Sequence, residues 1–142
     1  MSIRAGYATP ILHVVDIEQS IRFYEMLGFE LIDTDDCKPI GWARIHCEGG
    51  ALMFLRNEHS DEPVAPALML CMYTDDLAGL RETLIVNQIE MTPIQHPPYM
   101  PSGECYCNDP DGNRIMLVHW GKVEHENWLK RVEARKNETR NN

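Results

Sequence analysis

The chain has 142 residues, an apolar fraction of 44%, a charged fraction of 25% and a formal net charge of −9. These values fit one soluble globular domain, or two small modules that share a sheet. The negative charge argues against nucleic acid, whose phosphates it would repel, and no apolar run reaches the length of a membrane span.

Taken in order, residues 9–15 (TPILHVV) read as a short strand. Asp16 is placed to cap a helix that reaches Met26, with Ile17, Ile21, Tyr24 and Leu27 on its apolar side, and Gly28 stops it. Residues 29–34 read as a strand, 35–39 as a loop, 41–47 as a second strand, and Gly49-Gly50 as a turn into a third at 51–56. The order is βαβββ. Residues 57–66 (NEHSDEPVAP) are polar and proline-bearing, the most linker-like stretch of the chain.

The pattern then repeats. Residues 67–73 form an apolar strand, Thr74 or Asp75 caps a helix carrying Leu77, Leu80, Leu84 and Ile85, and 89–94 reads as a strand. After the proline-rich loop HPPYMPSG comes ECYCNDPDGNRIMLVHW, residues 104–120, in which two alternating runs flank a dense cluster of turn formers. It reads as a β-hairpin that completes a second βαβββ unit. In its second arm Ile115, Leu117 and His119 point one way, and Arg114, Met116, Val118 and Trp120 the other. The division is a first module at 1–57, a linker at 58–66, a second module at 67–120 and a charged tail at 121–142, helical to about Arg135. Met1 to Pro10 holds no long apolar core, so no signal peptide is expected. The five cysteines lack CxxC spacing, which suits reduced, mostly buried thiols in a cytoplasmic protein.

TPILHVVDIEQSIRFYEMLGFEL, WARIHCEGGALMFL and CNDPDGNRIMLV resemble the vicinal oxygen chelate superfamily of glyoxalase I, extradiol dioxygenases, fosfomycin-resistance enzymes and bleomycin-resistance proteins. The resemblance covers residues 8–120. It implies an α+β fold in which two βαβββ modules form a curved mixed β-sheet with helices on its convex side. It also implies, for the enzymes, a divalent metal on the concave face held by two histidines and a glutamate. Here the corresponding positions are Thr9, then Ala67 or Met69, then Met116. None supplies imidazole or carboxylate, so no metal and no cofactor is expected. The substitutions resemble the bleomycin-resistance branch, which sequesters an antibiotic without catalysis. A concave surface that one chain leaves poorly closed predicts a homodimer, with exchange of modules or of the Met1–Ala8 arm between chains left open. The resemblance implies a cationic or aromatic small-molecule ligand.

If the metal-equivalent positions define the concave face, side-chain alternation assigns to it Thr9, Ile11 and His13, then Leu52, Phe54 and Arg56. It adds Ala67, Met69, Cys71 and Tyr73, then Glu104, Tyr106 and Asn108, and finally Arg114, Met116, Val118 and Trp120. The opposite faces collect Leu12, Val14, Met53, Leu55, Leu68, Leu70, Cys105, Cys107, Ile115 and Leu117. The central strand divides into Ala43, Ile45 and Cys47 against Trp42, Arg44 and His46. The candidate ligand-binding set is Ile11, His13, Trp42, Arg44, Phe54, Met69, Tyr106, Arg114, Met116, Val118 and Trp120. Trp42 and Trp120 suit a pocket or a dimer interface equally. Arg44 and Arg114 suit a solvated edge, or a donor fork for an anionic or carbonyl group.

No catalytic residue is assigned. Ser20 lies in a helix and Ser102 in a loop without the strand–GxSxG–helix context of a nucleophile. His13, His46 and His119 lack a spaced acidic partner for a rearranged metal site, and His119 faces away from His13. The reading is therefore non-catalytic binding and sequestration of a small molecule such as an antibiotic. The alternative is a metal-dependent lyase, transferase or dioxygenase of the same superfamily with a rearranged site.

Overall fold

The computed structural model describes residues 8–57 and 68–141. The expected linker at 58–66, the strand start at Ala67 and the arm before Ala8 lie outside the described residues. The described chain divides into two compact units, residues 8–57, 68 and 108–113 in the first, and 69–107 with 114–141 in the second.

In the first unit β1 (Ile11–Val14) leads into α1 (Ile17–Glu25), followed by β2 (Glu30–Thr34), β3 (Trp42–Cys47) and β4 (Gly50–Arg56). The sheet order is β1-β4-β3-β2, with β1 parallel to β4 and the other neighbours antiparallel. The Asp16 carboxylate accepts from the Gln19 amide at 3.1 Å, so the helix starts where an N-cap residue stands. It ends at Glu25, one residue before the expected Met26, and Gly28 follows at φ +95°, a conformation glycine adopts without penalty. Leu12, Val14, Ala43, Ile45, Leu52 and Phe54 are buried on the sheet, as are Ile17, Ile21, Phe23 and Tyr24 on α1.

The register corrects one expectation. Phe54 pairs with Leu12 and with Ala43, and its ring lies 5.4 Å from that of Tyr24. Phe54 therefore belongs to the helix-packed face, with Leu52, and it is Met53 and Leu55 that share a face with Ile11, His13, Trp42 and Arg44. Alternation within a strand fixes two faces but not which one matches a neighbour's; only the pairing register does that.

The second unit contains β5 (Met69–Thr74), α2 (Leu77–Val86), β6 (Glu104–Asn108, whose last residue groups with the first unit), β7 (Arg114–His119) and α3 (Lys122–Asn141). Its sheet order is β5-β7-β6, with β5 parallel to β7. Asp76, rather than Thr74 or Asp75, caps α2 by accepting from the Gly79 amide at 2.9 Å. The strand expected at 89–94 is absent as a ladder. That segment meets β6 through Thr92 and an isolated bridge between Gln95 and Glu104, and Pro93 between them has no N–H to give to a ladder. Leu77, Leu84, Cys105, Cys107, Ile115 and Leu117 are buried. The expectation of mostly buried thiols holds for Cys105 and Cys107 but not for Cys37 and Cys71, which are exposed.

The tail helix runs to Asn141, beyond the expected end at Arg135, and buries none of its residues. The Gly121 amide donates to the Glu124 carboxylate at 2.9 Å, which satisfies a free donor at its start. The class is α+β with mixed sheets and three helices, as the sequence implied. No helix among the described residues is long and apolar enough to cross a membrane.

Candidate functional site

Each sheet has one face packed by helix and one face left open, and the candidate residues other than Phe54 fall on the open faces. In the first unit the open face is set by the pairs Ile11 with Met53, His13 with Leu55, Trp42 with Leu55, Arg44 with Met53 and His46 with Ala51. Met53 is the centre of this group: Trp42 Nε1 approaches its sulfur to 3.3 Å and Arg44 Nη1 to 3.8 Å. Arg44 Nε donates to His46 Nε2 at 2.8 Å, so that imidazole nitrogen is an acceptor and its proton sits on Nδ1. Arg44 is thereby held within the sheet face instead of standing free as a donor fork. Ile11 remains 47% exposed, enough to meet a ligand or another chain.

In the second unit the register pairs Met69 with Arg114, Cys71 with Met116 and Tyr73 with Val118, which puts all six on the open face. Met69 is 52% exposed. Val118 is fully buried and out of reach of a ligand, which corrects its assignment as a contact residue. The ring of Trp120 meets that of Tyr73 edge-on at 5.6 Å. The Tyr73 hydroxyl and the Cys71 sulfur interact two residues apart, and this hydrogen bond raises the Tyr73 pKa above its ordinary value.

Tyr106 anchors the densest part of this face. The Arg114 guanidinium lies 4.4 Å from its ring centroid, a cation–π distance. Its hydroxyl reaches Met116 Sδ at 3.3 Å and Glu104 Oε1 at 3.4 Å. The Tyr99 hydroxyl donates to the same Glu104 oxygen at 2.9 Å, and that bond raises the Tyr99 pKa. Glu104 is only 3% exposed, and its second oxygen, Oε2, has no hydrogen-bond partner among the described residues. Alternation had placed Glu104 beside Tyr106, but nothing in the sequence marked it as more than a strand residue. Tyr99 gave no signal at all, because its approach depends on the path of the proline-rich loop.

The donor set does not fit the metal that the family resemblance implies. Thr9, Met69 and Met116 stand at its ligand positions, and Ala67 lies outside the described residues. Among the described residues no group of three or more His, Cys, Asp or Glu side chains is placed to hold a metal ion. Ser20 Oγ is buried and donates to Asp111 at 3.3 Å, a structural use of the hydroxyl. An open groove lined by Val132, Arg135, Lys136, Thr139 and Arg140 draws every wall from α3, so it is helix surface and not a pocket.

A model of the glyoxalase/bleomycin resistance protein/dioxygenase superfamily matches residues 6–117. Among solved structures, the chain is similar to a bleomycin-binding protein complexed with bleomycin, at 23% identity and a TM-score of 0.64, over 82% of this chain and 100% of that one. It is similar to a bleomycin resistance determinant encoded on the transposon Tn5, at 24% identity and a TM-score of 0.63, over 80% and 97% of the two chains. TnmS3, an antibiotic binding protein from Streptomyces sp. CB03234, aligns at 21% identity and a TM-score of 0.64, over 82% and 98%. At these identities the likeness establishes the fold. No curated protein matches the chain.

Proposed function

The chain belongs to the glyoxalase/bleomycin resistance protein/dioxygenase superfamily, and from that premise we propose that it binds and sequesters a small molecule, such as an antibiotic, without catalysis. One observation carries this reading. Met116, at the position where the resemblance expects a metal-binding carboxylate, is a thioether 3.3 Å from the Tyr106 hydroxyl. Around it the open face of the second unit offers aromatic rings, sulfur and a carboxylate, a mixture suited to holding an organic ligand by contact and hydrogen bonds. The bleomycin bound by one solved neighbour and the description of another as an antibiotic binding protein support this choice of ligand class.

We extend the proposal to a homodimer. Ile11, Leu31, Ile32, Met69 and Tyr73 are each at least 46% exposed, and a second copy is an economical cover for such apolar strand surface. Light scattering that finds a monomer across micromolar concentrations would count against it.

The binding reading is tested by a thermal-shift screen over cationic glycopeptides, aromatic antibiotics and thiol-conjugated aldehydes, since a ligand of the folded state raises the melting temperature. The expected result is a hit whose effect is lost in Tyr106→Ala. Turnover of a hit, abolished by a chelator, defeats the reading in favour of the metal-dependent lyase, transferase or dioxygenase.

A further inference from the structure

Glu104 is a carboxylate whose two oxygens have unequal surroundings. Oε1 accepts from Tyr99 at 2.9 Å and is approached by Tyr106 at 3.4 Å, which uses both of its lone pairs. Oε2 is buried and unpartnered among the described residues. Neither of the two salt bridges found among them, His119 with Glu124 and Lys122 with Glu126, involves Glu104. The Arg114 guanidinium lies 4.4 Å from the centroid of the Tyr106 ring, a contact with the aromatic ring.

A buried carboxylate oxygen without a donor is costly, and the cost rises when no cation offsets the charge. A structural role does not explain it, because glutamine at this position would keep the Oε1 acceptor and carry no charge. We propose that Glu104 is a recognition point for a primary ammonium group on the bound molecule. The ammonium nitrogen donates to Oε2, and the organic body lies along Tyr106 and Met116. A compact point charge fits better than an amidinium or guanidinium, whose planar fork needs both oxygens, and Oε1 is already engaged. The net charge of −9 raises the local concentration of such a cation. Tyr99 is 71% exposed while its hydroxyl donates to Oε1 at 2.9 Å, so this side chain links the carboxylate to the surface. This inference rests on the small-molecule binding reading and names the chemical group that one of its faces selects.

The test titrates the full chain with 2-phenylethylamine, its neutral N-acetyl derivative and benzamidine, followed by calorimetry and amide NMR. The expected order places the amine at least about tenfold tighter than the N-acetyl compound and tighter than benzamidine. Glu104→Gln should weaken the amine at least about tenfold while leaving the N-acetyl compound unchanged. Tyr99→Phe, an exposed and conservative change, frees Oε1 of one donor and should tighten amine binding. Equal affinity for amine and N-acetyl compound overturns the proposal, as does an unchanged or weakened amine in Tyr99→Phe, or no amine binding at millimolar concentration. If the amine fails while an antibiotic from the thermal-shift screen binds, this inference falls and the binding function stands.

Discussion

The hydroxyl of Tyr24 donates to Asp109 Oδ2 at 2.8 Å, across 85 residues of sequence, and both side chains are buried. Asp109 also accepts from the amides of Asp111 and Asn113 and from the Asn113 side chain, at 2.8–2.9 Å. Asp111 in turn accepts from the Val15 amide at 2.9 Å and from Ser20 Oγ. The Asn-Asp-Pro-Asp-Gly-Asn turn thus does more than reverse a hairpin. It supplies acceptors for α1 and for the residue after β1, which is why residues 108–113 group with the first unit.

Tyr24→Phe removes one donor from a buried carboxylate and keeps the ring packing against Phe54 and Phe29. The expected loss is about 1–3 kcal/mol, the penalty for a buried acceptor short of a partner. Urea denaturation of the variant, read against Ser20→Ala, measures it.

Asp111 should titrate above its ordinary value of 3.8. Burial raises it most and the Asp109 charge adds to this, while the hydrogen bonds from Val15 and Ser20 oppose the rise. A carboxyl whose folded pKa is raised binds more protons folded than unfolded. Its contribution is therefore present below 3.8 and declines as pH climbs through the raised folded value. In Asp111→Asn that portion of the stability–pH curve should flatten. Carboxyl-carbon NMR gives the pKa, and denaturant melts across the acid range give the slope.

Phe54→Ala should cost about 3–5 kcal/mol through a cavity under α1. Tyr106→Ala, on a half-buried open face, should cost far less stability and act on ligand affinity. Melting temperatures for the two variants separate them. Equal destabilisation would contradict the assignment of Phe54 to the core and Tyr106 to the open face.

Treatment with a chelator should change neither the melting temperature nor the binding of a thermal-shift hit, since Thr9, Met69 and Met116 are poor ligands for a hard or borderline divalent cation. Elemental analysis of protein purified without chelator provides the check. About one metal ion per chain would revive the enzyme reading.

The sequence by itself determined the elements with strong local causes. Asp16 and Gly28 bracket α1, glycine and asparagine mark the turns, and the alternation in β7 separates Ile115 and Leu117 from Arg114 and Met116. Only the tertiary structure decided what depends on partners distant in the chain. Residues 89–94, with Pro93 among them, stay outside the ladder that their types suggested. The pairing of Phe54 with Leu12 and Ala43 sent it to the core, because period-two alternation leaves the phase between strands open. The same dependence governs the candidate site. Glu104 is two residues from Tyr106 in sequence, but its unpartnered oxygen arises from the burial that the fold imposes and from where Tyr99 comes to rest.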